Sequence, residues 1–129
     1  MTLARQGWGQ DNPTFRQLFT GRFIPAATKE QTDSYNELQR KTATPENAAR
    51  YIETWGDIDV RELLPKVTTP TLVMHVRDDA MAPLSQGREL ASRIPGARFV
   101  VMEGKNHLFL EGEVASERFF EEIELFLKG

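Results

Sequence analysis

The 129-residue chain contains no cysteine and only two histidines. Without cysteine, the sequence excludes disulfide bonds, zinc thiolate sites and a cysteine nucleophile. The 16 basic and 19 acidic residues give a net charge of -3, which offers no electrostatic reason for this segment to bind nucleic acid. No long apolar run indicates a transmembrane helix, and the first residues lack the apolar core of a secretory signal. We therefore expect a cytoplasmic protein without membrane contact.

The first half of the sequence, residues 1–57, has the pattern of helices and loops without a convincing strand. Thr28 and Gln31 have the spacing of a capping box, which predicts that a helix begins after Thr28. Thr44 followed by Pro45 predicts a second helix start, with Thr44 as the N-cap residue. We interpret residues 1–57 as one helical segment and residues 58–129 as a second domain of different character.

Residues 58–129 alternate between helical and strand-like segments. The pattern predicts a short helix after a capping box at Asp59 and Glu62, and strands over 71–76 and 98–102. Further helices are expected over 83–94 and 115–127, the last burying Leu127 among other apolar residues. The order strand, helix, strand, helix predicts a right-handed parallel βαβ unit followed by a helix. The continuous apolar run over 71–76 is typical of a strand buried on both faces of a sheet.

Two chemically versatile side chains follow the two predicted strands. Asp79 comes shortly after the first strand, and His107 comes shortly after the second. Because the carboxyl ends of parallel strands lie at one edge of the sheet, we expect these side chains to meet there. Two plainer interpretations compete, since Asp79 could cap the next helix and His107 could be an exposed loop residue. His75 lies within the first strand and is interpreted as a packed strand residue, so no metal or other cofactor is predicted.

The stretch from Pro70 to His107 resembles the last two strands of the α/β-hydrolase family. Asp79, four residues before Pro83, matches the acid of the family's catalytic triad, and His107, three residues after Gly104, matches its histidine. Residues 1–57 resemble the helical cap that the family inserts before these strands. The resemblance implies an α/β fold class: a truncated α/β-hydrolase with a helical N-terminal cap segment and a C-terminal βαβα unit with parallel strands.

The family's nucleophile is a serine in a Gly-x-Ser-x-Gly elbow. The serines of this chain are Ser34, Ser85, Ser92 and Ser116, and none lies between glycines at that spacing. Asp79 and His107 are therefore two members of a catalytic triad without its third. We expect the chain alone not to be catalytically competent. It would hydrolyse an ester or related small substrate only if an N-terminal half that carries the nucleophile completed it.

The resemblance also implies that the strand over 71–76 lacks a neighbour on one side. An exposed, apolar strand edge is a template for pairing, so we expect a homodimer formed at that edge or by exchanged helices. A small apolar ligand is the other expected partner. An alternative interpretation is a ligand-sensing or oligomerisation module of a transcriptional regulator, because residues 7–13 and 36–40 resemble hydrolase-like domains appended to regulators and cyclases. A third is a fragment with no independent role.

Overall fold

A computed structural model describes residues 2–129, which divide into two compact units. The first unit ends at Asp59 and the second comprises Val60–Gly129. Among the helices in the described part of the chain, none combines the length and apolarity needed to cross a bilayer.

Over residues 2–59, the regular structure of the first unit is entirely helical. Its helices are α1 (Thr2–Gly7), α2 (Thr14–Phe23), α3 (Lys29–Thr42) and α4 (Pro45–Trp55). The predicted capping box starts α3: the Thr28 hydroxyl accepts from the Gln31 amide at 3.2 Å, and the Gln31 side chain accepts from the Thr28 amide at 2.9 Å. Thr44 caps α4 by accepting from the Asn47 amide at 3.2 Å. Both predicted helix starts are confirmed, because local side-chain hydrogen bonds determine them.

A buried arginine joins separate segments of this unit. The side chain of Arg16, in α2, is only 1% exposed. Its guanidinium donates to the backbone carbonyls of Trp8, of Gln10 at 2.7 Å and of Asn36 at 3.0 Å. The Trp8 indole in turn donates to the Gln39 carbonyl at 3.0 Å. The segment after α1 is therefore held against α2 and α3 by hydrogen bonds.

The second unit is the predicted βαβα arrangement. Its elements are β1 (Leu72–Val76), α5 (Leu84–Arg93), β2 (Arg98–Met102) and α6 (Val114–Leu127). β1 and β2 pair in parallel, with Leu72 opposite Arg98 and Val76 opposite Met102. Gly96, with a φ of 71°, turns the chain between α5 and β2. The predicted fold class is confirmed, and both strands lie where the apolar runs predicted them.

The core of the second unit lies between the sheet and α6. Val76, Val100 and Met102 are buried there, and Phe109 and Phe119 pack against them. The first four residues of β1 remain partly exposed, so the prediction of a strand buried on both faces was wrong. The reason is that the sheet has two strands in the described residues, leaving β1 paired on one side only.

Two helix predictions also require correction. Asp59 and Glu62 start no α-helix; the chain forms turns there and a single 3-10 turn over Leu64–Lys66, with Pro65 at its start. Leu127, predicted to be buried by α6, is 77% exposed. A 14-residue helix is about 21 Å long, whereas a five-residue strand spans about 17 Å, so the last turn of α6 extends past the sheet it covers.

Candidate active site

Asp79 and His107 emerge from neighbouring loops at the carboxyl ends of β1 and β2. The pairing of the strands continues into these loops, because the Arg77 amide donates to the Met102 carbonyl at 2.8 Å and the Asp78 amide donates to the Gly104 carbonyl at 3.1 Å. This continuation keeps the two loops side by side beyond the last strand residues. The position is the one where open α/β sheets hold their sites.

The structure brings the two predicted residues into direct contact. His107 Nδ1 lies 2.6 Å from Asp79 Oδ2. An ionised carboxylate can only accept, so Nδ1 is the nitrogen that carries the imidazole proton. In the neutral ring the basic lone pair then lies on Nε2, which is the atom able to act as a general base. Contact is thus observed, while the catalytic roles of both residues stay predictions.

Asp79 is held in place by more than the histidine. Its second oxygen, Oδ1, accepts from the Met81 amide at 2.7 Å and from the Ala82 amide at 3.0 Å. The Asp79 side chain is 4% exposed, against 35% for that of His107. The sequence predicted the acid but not these two amides, which depend on how the loop before α5 turns.

Burial acts to raise the pKa of the Asp79 carboxyl. The hydrogen bonds from the Ala82 amide, the His107 ring and the Met81 amide act in the other direction and prevail, so the pKa of Asp79 lies below its ordinary value. The carboxyl is consequently ionised throughout the neutral range and can stabilise positive charge on His107.

The loop that carries His107 has its own support. Asn106, directly before it, is 3% exposed and donates through Nδ2 to Glu113 Oε1. The other carboxylate oxygen of Glu113 accepts from the Leu110 amide at 3.1 Å. One carboxylate thus fastens two points of the segment between β2 and α6. This contact was not predicted, because nothing in the residue types of Asn106 and Glu113 distinguishes them from exposed polar residues.

A small cavity of about 120 Å³ opens beside the pair. Its walls are Met74, His75, Val76, Asp79, Met102, His107, Phe109 and Phe119. Five of these are apolar, and Met81 and Leu108, which lie near Asp79 and His107 in the sequence, are not among the wall residues. The volume corresponds to about four water molecules, well below the several hundred Å³ of a complete drug-sized site.

The wall residues of this cavity include no serine. The four serines all lie within helices: Ser34 in α3, Ser85 and Ser92 in α5, and Ser116 in α6. The described residues therefore provide an acid and a histidine in contact beside an apolar cavity, without a hydroxyl nucleophile on its walls.

The profile of the alpha/beta hydrolase fold family matches residues 4–114, so most of the chain is covered by it. The chain belongs to the alpha/beta hydrolase fold family. This agrees with the parallel βαβα unit of the structure.

Particular relatives align with different shares of the chain. The non-heme chloroperoxidase CPO-A1 of Kitasatospora aureofaciens is 40% identical over 65 residues, which are 50% of this chain and 24% of that protein. The pimeloyl-acyl-carrier protein methyl ester esterase of Aliivibrio salmonicida is 30% identical over 91 residues, 70% of this chain and 34% of that protein. The solved structure of an esterase from Exiguobacterium antarcticum matches with a TM-score of 0.79 at 23% identity, over 99% of this chain and 47% of that one. The chain spans about half the length of this solved relative, and less of the other two.

Proposed function

We propose that Asp79 and His107 are the acid and the general base of an ester-hydrolysing site that a serine nucleophile outside these 129 residues completes. The observation that carries the proposal is the 2.6 Å contact between His107 Nδ1 and Asp79 Oδ2. It is supported by the family of the chain and by the extent of the match, which reaches only 47% of a solved esterase.

The geometry supports a defined proton path. In the proposed reaction, His107 Nε2 takes the proton of the serine hydroxyl as its oxygen attacks the ester carbonyl. Asp79 stabilises the resulting imidazolium without itself accepting the proton. The same Nε2 proton then passes to the leaving alcohol as the tetrahedral intermediate collapses to an acyl-enzyme. Water repeats the sequence, releasing the acid and restoring the serine hydroxyl.

An ester is the substrate class favoured by the proposal for two reasons. The cavity beside His107 has mainly apolar walls, including Phe109 and Phe119, which suit an alkyl or acyl group. One relative that aligns with 70% of this chain is named a methyl ester esterase. The oxyanion donors that stabilise a tetrahedral intermediate would have to accompany the nucleophile, and without both the rate should be low.

The free edge of β1 supports the proposed homodimer. The Thr71 carbonyl accepts from the Arg98 amide, and the Arg77 amide donates to the Met102 carbonyl. The odd-numbered residues of this segment therefore direct their backbone amides and carbonyls towards β2. Because backbone groups alternate along a strand, Leu72 and Met74 direct theirs to the opposite edge. That edge pairs with no strand within the described residues. For the 129-residue chain on its own, a second copy adding its own β1, or exchanging helices, is the partner we propose for it.

Two assays test the proposed hydrolysis. The purified chain should hydrolyse p-nitrophenyl acetate no faster than free imidazole at equal concentration. A chimera that joins the nucleophile-bearing half of the Exiguobacterium esterase to this chain should turn the ester over. Its activity should fall about 10⁴-fold in Asp79→Asn, because the carboxylate fixes the tautomer of the histidine. Asp78→Asn is the matched control, since Asp78 is exposed.

The outcomes separate the proposal from its alternative. A folded chimera whose residual rate is the same with His107 and with His107→Ala would refute the catalytic assignment. Saturable binding of a small apolar ester without turnover would instead favour the ligand-sensing module of a regulator. Turnover by the chain alone that disappears in His107→Ala would show that no second half is needed.

A further inference from the structure

His75, which the mechanism above leaves without a role, lies in β1 between α5 and the loop that carries Asp79. Its side chain is only 12% exposed. Gly87 of α5 passes directly over the ring, and a methyl group there would lie 2.5 Å from His75 Nδ1. Such a distance is well inside a van der Waals contact, so residue 87 must be glycine for the ring to occupy this position. The ring is therefore enclosed rather than placed on the surface.

The other ring nitrogen makes a specific contact. His75 Nε2 lies 2.7 Å from the Ala82 carbonyl oxygen. A carbonyl oxygen only accepts, so Nε2 must carry the proton and donate it. The distance from Nε2 to Asp79 Oδ2 is 3.9 Å, too long for a hydrogen bond. His75 consequently binds the backbone of the loop and not the carboxylate that the loop carries.

Ala82 connects His75 to the acid. Its carbonyl accepts from His75, while its amide donates to Asp79 Oδ1 at 3.0 Å. The neighbouring Met81 amide donates to the same oxygen at 2.7 Å. Any rotation of the backbone around Ala82 would therefore change the amides that orient the carboxylate. His75 restrains that rotation from the strand, which is the rigid element at this point.

We propose that His75 is a positioning residue that fixes the loop over 79–82, and through Asp79 keeps the neutral His107 in its Nδ1–H tautomer. The effect of His75 on turnover rests on the proposed function, whereas its effect on the tautomer does not. The two histidines of the chain then hold opposite tautomers, His75 protonated at Nε2 and His107 at Nδ1. The rigid imidazole of His75 places a donor within hydrogen-bond distance of the Ala82 carbonyl. A side chain that only packed in this position would need no donor.

The experiment is a two-dimensional proton–nitrogen spectrum of the histidine-labelled chain, at a pH where both imidazoles are neutral. The chain has two histidines, so each His75 variant leaves the signals of His107 alone and assigns the spectrum. We expect one ring with its proton on Nε2 and the other with its proton on Nδ1. In His75→Leu the remaining ring should shift mostly to the Nε2–H form. In His75→Gln, whose amide keeps a donor, the Nδ1–H form should persist.

Two results would overturn the inference. One is a wild-type spectrum in which His75 carries its proton on Nδ1, which requires no variant to be folded. The other is a His107 tautomer that is the same in the leucine, glutamine and wild-type proteins. Gly87→Ala provides a second perturbation that retains His75 but displaces its ring, and it should resemble His75→Leu.

Kinetics of the chimera separate this inference from the proposed function. His75→Leu should lower kcat about 10- to 100-fold with little change in KM, since displacement of a catalytic group costs rate more than binding, and glutamine should restore most of it. Opposite tautomers in an inactive chimera would refute the proposed function and leave the positioning role intact. An active chimera whose rate and His107 tautomer are unchanged by substitution of residue 75 would support the proposed function and refute the positioning role.

Discussion

Replacing Asp79 by alanine should destabilise the protein more than replacing it by asparagine. Alanine removes all three hydrogen bonds of the carboxylate, whereas asparagine retains the oxygen that accepts from Met81 and Ala82. Each amide left without a partner costs about 1–3 kcal/mol, and we take the lower end because both residues are only half-buried. The bond to His107 adds about 1 kcal/mol after allowance for the exposure of the ring.

The expected losses in the free energy of unfolding are therefore about 1 kcal/mol for Asp79→Asn and about 3 kcal/mol for Asp79→Ala. Urea unfolding at neutral pH, followed by far-ultraviolet circular dichroism, measures both by linear extrapolation. The matched controls are Asp78→Asn and Asp78→Ala, at an exposed carboxylate next in sequence. Both controls should remain within about 0.5 kcal/mol of the wild type.

Equal losses for the alanine and asparagine variants would refute this reasoning. That result would mean that the Met81 and Ala82 amides find other partners when the carboxylate is absent, and do not determine its orientation. A loss confined to alanine, with asparagine like the wild type, would instead show that the bond to His107 adds nothing to stability.

Three further outcomes follow from features of the second and first units. Burial acts to raise the pKa of Asp79, but its hydrogen bonds lower the pKa by more than burial raises it. The stability that the ionised carboxylate provides is therefore present above about pH 4 and is lost as the pH falls through the lowered pKa. The difference in the free energy of unfolding between the wild type and Asp79→Asn, measured in urea, should therefore decrease as the pH is lowered. Light scattering should give the mass of a dimer for the wild type and of a monomer for Leu72→Pro. Val73→Pro, whose backbone groups pair with β2, should instead lower the melting temperature. A monomeric wild type would contradict the dimer. Gly104→Ala, at a φ of 148°, should cost about 1–3 kcal/mol, while Gly21→Ala, with open space in α2, should gain about 0.5–1 kcal/mol in thermal unfolding; equal effects would contradict a backbone origin.

The elements of the fold that were predictable are those determined by neighbours in sequence. Thr28 and Gln31 start α3 through mutual hydrogen bonds three residues apart. β2 lies at Arg98–Met102, where a run of apolar residues follows a proline and a glycine. At Asp59 the same capping pattern failed, because turn geometry and Pro65 allow only a 3-10 turn. Local signals indicate where helices can begin, and the following residues decide whether they do.

The candidate site was predictable only in its principal pair. The order of two strands places Asp79 and His107 at one sheet edge, and their side chains meet there. The role of Ala82 could not be predicted, because a backbone amide and carbonyl have the same chemistry at every residue. His75 could be recognised as packed but not as a donor, since that depends on the close approach of Gly87.

The buried guanidinium of Arg16 has a consequence for sequence variation. All three of its acceptors are backbone carbonyls, contributed by Trp8, Gln10 and Asn36. Any amino acid offers such a carbonyl, so the exposed Gln10 can change freely without loss of the contact. No other side chain offers the planar set of donors that reaches three carbonyls at once, and lysine would leave some of them unbound. A saturation library should therefore find position 16 nearly invariant and position 10 permissive, although the two residues share one hydrogen bond.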